Sequence, residues 1–191
     1  MTIEERRARD RTARRRLITS TARSIAEKEG WDAVTTRRLS TEIEYSQPVI
    51  YKHFASLDEI TDAVALEGFE ELAIALRKAR LAAAADGAVG AVARTYAAFA
   101  TDAPALYDAM FVISTRLPFG AHSPTALSVA FAEMRAAIAP RVGGEDVDVL
   151  TEVLWAALHG LVVLDRAGRI EQGRLDDRID VIVNRLVVDA S

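Results

Sequence analysis

The chain has 191 residues, half of them hydrophobic, and a formal net charge of −4. That length suits one compact domain, or a small module fused to a larger one. The absence of cysteine excludes disulfides, thiol catalysis and thiolate metal sites, and with three histidines only, His53, His122 and His159, a histidine-rich metal centre is not expected; without a Gly-rich phosphate loop, metal-ligand spacing or serine elbow, no cofactor is expected either. No run of eighteen apolar residues suggests a membrane span, and the charged N-terminus lacks an apolar signal segment, so a cytoplasmic protein is expected.

The charge is unevenly distributed. Residues 1–55 hold twelve Lys/Arg and eight Asp/Glu, a net of +4, while residues 56–191 hold twelve and twenty, a net of −8. A basic head on an acidic body is the asymmetry of a protein that touches nucleic acid with one part and handles something else with the other.

In chain order, residues 1–16 carry seven arginines and almost nothing apolar before Leu17, so the first ten or so are expected to be mobile. A first helix is predicted over Arg11–Glu29, with Ile18, Ala22, Ile25 and Ala26 on one face and Gly30 as its stop. Thr35 or Thr36 caps a second helix, in which Leu39 and Ile43 face inward. A turn at Glu44–Tyr45–Ser46 leads into a third helix. There Ser46 can cap, Pro48 is tolerated in the first turn, and Ile50 and Phe54 anchor the core. Ser56-Leu57-Asp58-Glu59 opens a fourth helix as a capping box. This helix runs to about Ala82, some 25 residues or about 38 Å. Five more helices are predicted: Gly87–Thr101, Pro104–Val112, Pro124–Ala139, Glu145–Ala167 and Leu175–Asp189. The breaks between them carry Gly and Pro, including Leu117-Pro118-Phe119-Gly120 and Gly143-Gly144. No period-2 strand is evident. The fold class is therefore all-α, with about nine helices. A three-helix head is joined by a long fourth helix to a helical body, and the division is placed at residues 1–55 and 56–191.

Residues 35–54 resemble the helix-turn-helix of the TetR family of bacterial transcriptional regulators. The likeness rests on Thr35-Thr36-Arg37-Arg38-Leu39, on Gln47-Pro48-Val49-Ile50-Tyr51-Lys52-His53-Phe54, and on the immediate start of the next helix at Ser56. Two positions depart from the family pattern: Glu44 stands where a small residue or glycine is usual, and Leu57 where a lysine is common. Trp155 and His159-Gly160 are similar to the Trp…His-Gly signature of one C-terminal subgroup. The resemblance implies a homodimeric, ligand-responsive regulator of double-stranded operator DNA, most often a repressor, and not an enzyme.

The residue chemistry points the same way. Thr36, Tyr51, Lys52 and His53 suit phosphates, while Gln47 and Arg37 can make bidentate contacts to adenine and guanine. Pro48 and Val49 can pack on a thymine methyl, and Tyr45 and Ser46 lie in the turn beside them. For pairing, Leu150, Leu154, Leu158 and Leu161 on one helix and Ile179, Ile182, Val183 and Leu186 on the next are expected to form a four-helix interface. Tyr96, Phe99, Tyr107, Met110, Phe111, Phe131, Met134, Trp155 and His159 are candidate lining for an apolar or aromatic effector. Two other classes fit the charge pattern: a sequence-tolerant DNA-binding architectural protein, and a small helical enzyme or carrier.

Overall fold

The computed structural model describes residues 2–113, 116–118, 123–143 and 146–187. Among these, nine α-helices and no strand are found: α1 Ile3–Glu29, α2 Thr36–Glu42, α3 Gln47–Tyr51, α4 Leu57–Ala82, α5 Ala88–Asp102, α6 Pro104–Phe111, α7 Thr125–Ile138, α8 Val147–Arg166 and α9 Leu175–Val187. Short 3-10 turns lie at Trp31–Ala33 and Ala139–Arg141. Phe119, Gly120, His122, Gly144 and Glu145, together with the predicted end of the last helix at Asp189, lie outside the described residues.

By packing, the chain divides into two compact units: residues 1–68 with 103–118, and residues 69–102 with 119–191. The first unit takes in the opening half of α4 and all of α6, which the sequence reading assigns to the body. The reason lies in local chemistry. Glu27, near the end of α1, accepts hydrogen bonds from the backbone N–H groups of Ala105 and Leu106, both at 3.1 Å. These are unpaired donors of the first turn of α6, where a carboxylate is favoured by both charge and geometry. The Trp31 indole N–H adds a bond to the Ala105 carbonyl at 2.8 Å. On the other side of α6, a Cβ on Gly68 of α4 would stand 2.6 Å from Met110 Sδ and 2.9 Å from Leu106 Cδ1. Glycine at that position is what lets the two helices approach.

The core of this unit is Ile18, Ala22, Ile25, Leu39, Ile50, Phe54, Ile60, Val64, Leu106, Tyr107 and Met110, all buried. The Tyr107 and Phe111 rings meet at 4.8 Å in a tilted pair. Thr19, buried among apolar side chains, donates to Glu67 at 2.8 Å.

Helix α1 departs from expectation by starting at Ile3 rather than Arg11. Thr2 and Glu5 form a reciprocal capping box: the Thr2 N–H donates to the Glu5 carboxylate at 2.8 Å and the Glu5 N–H to Thr2 Oγ1 at 3.1 Å. Arginine is a good helix former, and a helix already nucleated by packing from Ile18 onward extends at little cost. The start of α4 follows the predicted box more loosely. Glu59 N–H donates to Ser56 Oγ at 3.2 Å, but the Glu59 carboxylate takes the N–H of Ala55 at 2.7 Å instead of that of Ser56.

In the second unit α5 packs against α7, α8 and α9, and α8 lies between α7 and α9. Leu72, Leu76, Val89, Val92, Tyr96, Met134, Ile138, Leu154, Leu158 and Ile179 fill its core. Arg80 of α4 grips Glu133 of α7 through Nε at 2.9 Å and Nη2 at 2.6 Å. Leu154, Leu158 and Ile179, expected on a pairing surface, are buried within their own unit. Leu150, Leu161, Ile182, Val183 and Leu186 are half-buried. Helix α8 is apolar on two faces. Thr151, Leu154, Leu158 and Val162 point into the unit, while Val149, Val153, Val163 and Leu164 remain exposed on the opposite side. This makes it long and apolar enough in composition to cross a membrane, although one of its faces is fully occupied by protein.

The turn between α2 and α3 places Glu44 at φ 56°. Tyr45 N–H closes back on the Ser40 carbonyl at 3.0 Å, the bond that ends a helix through a left-handed residue. A left-handed non-glycine residue costs about 1–2 kcal/mol, and glycine returns about 0.5–1 kcal/mol of that as lost chain entropy. Glu44→Gly is therefore predicted to stabilise the chain by about 0.5–1 kcal/mol, read as a shifted midpoint in urea with unchanged slope. A loss of stability would contradict this account of the turn.

Candidate nucleic-acid interface

Helix α3 is only five residues long, and its orientation is set by what it buries. Ile50 and Phe54 are 1% exposed. Around them Gln47, Pro48, Tyr51 and Lys52 are exposed, and Val49 and His53 are half-buried. The predicted inward and outward sets therefore fall where the spacing put them. Lys52 and His53 stand just beyond the last helical residue, but Lys52 N–H still donates to Pro48 O at 3.1 Å and Phe54 N–H to Ile50 O at 3.0 Å. Pro48 occupies the first turn, where its missing N–H leaves no gap. Ser46 holds the N-cap position without a side-chain capping bond, so its hydroxyl stays exposed and available to another partner.

In α2 the cap is Thr35, whose hydroxyl accepts from Arg38 N–H at 3.1 Å. That leaves Thr36 to meet Tyr51: their hydroxyls lie 3.3 Å apart. This bond links the start of α2 to the end of α3 at the solvent side and fixes the exposed phenol. Arg37 is exposed beside them and Tyr45 half-buried in the turn. Arg38 is occupied elsewhere, with Glu29 and Glu42 each 2.9 Å from its guanidinium. Such half-exposed pairs add little stability, but they take Arg38 out of the set of open cations.

Sequence reasoning missed Arg15. It is counted only among the arginines of the N-terminal stretch, yet its guanidinium lies 3.9 Å from the centroid of the Phe54 ring. It also donates to the His53 carbonyl and lies 3.4 Å from the Glu59 carboxylate. One side chain thus joins α1 to the end of the recognition segment and the start of α4. The spacing Arg15–Ile18–Ala22, one turn apart, puts Arg15 on the buried side of α1 and was the available signal.

Around His53 the electrostatics are crowded. Nε2 is enclosed and makes no hydrogen bond among the described residues. Burial, and then the positive charges of Arg14, Lys52, Arg15 and Arg11, push its pKa below the ordinary 6.5. The ring is therefore held neutral at pH 7.

The nine residues considered as effector lining fall into two groups. Tyr107, Met110 and Phe111 sit on α6 in the first unit, Tyr107 and Met110 fully buried. Tyr96, Phe99, Phe131, Met134, Trp155 and His159 belong to the second unit, where Trp155 Nε1 donates to the Tyr96 hydroxyl at 3.2 Å. Burial lowers the pKa of His159 as well.

Because the folded chain holds His53 neutral, its protonation opposes folding. The contribution is absent above about pH 6.5, and stability falls as pH drops below that value. An NMR titration is predicted to place His53 below 6.5, and Arg14→Ala to move it upward. An unshifted His53 in the wild-type chain would contradict the crowding described here.

Comparison with known proteins bears on this geometry. Residues 18–64 match the model of the bacterial regulatory proteins of the tetR family, and residues 89–190 match a tetracyclin repressor-like C-terminal domain. The HTH-type transcriptional regulator Rv0681 of Mycobacterium tuberculosis is 30% identical over 176 residues, covering 90% of this chain and 79% of that protein. Among solved structures, RolR in complex with resorcinol has a TM-score of 0.68 at 16% identity, over 95% of this chain and 89% of that one. BioQ with its double-stranded DNA operator has a TM-score of 0.65 at 20% identity, over 91% and 98%. These two likenesses show a shared fold. The matched helix-turn-helix holds α3 with its polar side outward, and the C-terminal match spans more than half of the chain. The chain therefore belongs to the TetR family of bacterial regulators and is a DNA-binding transcriptional regulator.

Proposed function

We propose that the protein is a cytoplasmic, homodimeric repressor that leaves its operator when a small apolar or aromatic molecule binds its body. The observation that carries the operator reading is the outward row on α3 and the turn before it. Gln47 and Arg37 supply base-reading groups, Pro48 and Val49 an apolar contact, and Thr36, Tyr45, Ser46, Tyr51, Lys52 and His53 the phosphate contacts. One such head offers few base contacts, and pairing places two of them on half-sites about 34 Å apart. Its relatives are regulators, which supports a reading without catalysis.

For the dimer, the exposed row Val149, Val153, Val163 and Leu164 on α8 supports a pairing surface, with Ala156 and Gly160 as small residues between them. The half-buried Leu150, Leu161, Ile182, Val183 and Leu186 flank it. Desolvating four such side chains is worth several kcal/mol at about 25 cal/mol per Å², and an exposed apolar face of this kind is unusual in a monomer.

The effector site is proposed for the second unit, around Tyr96, Phe99, Phe131, Met134, Trp155 and His159. That set is aromatic, with a histidine and a tyrosine for orientation. The resorcinol complex of RolR is an instance of an aromatic ligand on this fold. Helix α4, which belongs to both units, is the proposed lever, and the Glu27 and Trp31 grip on α6 is the proposed hold on the head. Near-complete release requires the ligand to favour the non-binding state by about 5.5 kcal/mol.

A gel shift on the DNA upstream of the chain's own gene tests the operator reading. Tyr51→Ala is predicted to weaken binding by roughly ten- to a hundredfold, about 1.4–2.8 kcal/mol, with the fold intact. Equal affinity of both proteins for operator and random DNA would overturn the reading. Val153→Arg is predicted to yield a monomer by light scattering and to lose operator binding with it; an intact dimer would move the pairing surface elsewhere.

A further inference from the structure

The first half of α1 is an unusual helix. From Ile3 to Arg14 every residue is exposed, and Ile18 is the first buried hydrophobic side chain. The fifteen residues from Ile3 to Leu17 make an overhang of about 22 Å at 1.5 Å per residue. Its sequence holds seven arginines against Glu4, Glu5 and Asp10.

The arginines are arranged in register. At 3.6 residues per turn, Arg7, Arg11 and Arg14 lie on the same side of α1 as the buried Ile18, Ala22 and Ile25. Arg6, Arg9 and Arg16 lie on the opposite side. The face that is core in the second half of the helix becomes a row of guanidinium groups in the first half. Arg15 ties the root of this row to Phe54 and the His53 carbonyl. Arg11 and Arg14 stand close enough to His53 to repel its proton, as Lys52 does. The row is thus continuous with the phosphate-contacting end of the recognition segment. No ion pair with an acidic side chain occupies Arg7, Arg11 or Arg14 among the described residues.

We propose that this overhang is a second DNA-contacting element, in which Arg7, Arg11 and Arg14 bind backbone phosphates flanking the base pairs read by α3. The proposal rests on the operator reading above. A rigid helix loses little conformational entropy on docking, unlike a flexible arm, so its charges act at fixed positions along the duplex. Phosphate contacts carry no base preference. The overhang therefore adds affinity and footprint length, and leaves the choice of sequence to Gln47 and its neighbours.

The test uses the full-length chain and a duplex that it selects from random-sequence DNA, made with either two or ten base pairs flanking each end. The wild-type chain is expected to bind the long duplex at least tenfold more tightly. Arg7→Ala/Arg11→Ala/Arg14→Ala is expected to bind both alike, with a salt dependence of log K flatter by about 2–3 per protomer. Its preference for the selected sequence over a scrambled one should be unchanged. The opposite-face variant Arg6→Ala/Arg9→Ala/Arg16→Ala should retain most of the gain from the flanks, and circular dichroism should show both variants helical. Equal wild-type affinity for the two duplexes overturns the proposal while leaving the operator reading standing. An equal loss in both variants replaces a contacting face with diffuse charge and also overturns it. Failure of the wild-type chain to select any sequence overturns both readings.

Discussion

A five-residue helix has no stability of its own in water, because nucleation alone outweighs the bonds that it forms. Everything that α3 can do therefore depends on two side chains that point away from the solvent, Ile50 and Phe54. Each contributes about 1.5–3 kcal/mol by leaving water, and together they fix the rotation of the helix about its axis. Phe54 is held further by the Arg15 guanidinium over its ring, a contact worth about 0.5–2 kcal/mol in general. With that rotation set, Gln47, Tyr51 and Lys52 have no choice but to face outward. The Thr36–Tyr51 hydroxyl contact then holds the exposed edge.

The same logic extends through the first unit. Glu27 offers one carboxylate oxygen to each of two orphan N–H groups at the start of α6, Trp31 binds the carbonyl beside them, and Gly68 admits α6 against α4. These are directional or steric constraints with few alternative solutions. They make α6 part of the unit that carries the recognition segment, although more than forty residues separate it from Tyr51 in the chain. A displacement of α6 must therefore either carry α1 with it or break two charge-assisted hydrogen bonds. That gives the proposed release mechanism a definite point of attachment.

Much of this was legible in the sequence because it rests on local chemistry. Glycine and proline punctuation gave helix boundaries within a few residues, and the four-residue spacing of Ile50 and Phe54 gave the inward face of α3. The glutamate at position 44 marked a left-handed turn, through the family pattern more than through its own chemistry. Contacts made across long sequence separations were not legible. Nothing in the run of residues around Glu27 announces that it caps a helix starting at Pro104, and nothing near Arg15 names Phe54. Composition alone makes the N-terminal stretch look mobile, because it counts arginines without their register or the Thr2–Glu5 box. The division of the apolar side chains of α8 is hidden from the sequence for a related reason. On a helix apolar on both faces, periodicity finds the leucines, and only burial tells that Leu154 and Leu158 are spent on the core while Val149 and Val153 are free.

The central claim is that α3 reads base edges from a fixed orientation, with Gln47 as one of the readers. Selection of bound sequences from a random duplex library, with the wild-type chain and with Gln47→Ala, tests it most directly. The account predicts a two-fold-symmetric sequence for the wild type, and for the variant the same sequence with preference relaxed at one position in each half-site. An unchanged preference at every position, or no enriched sequence at all, would contradict it.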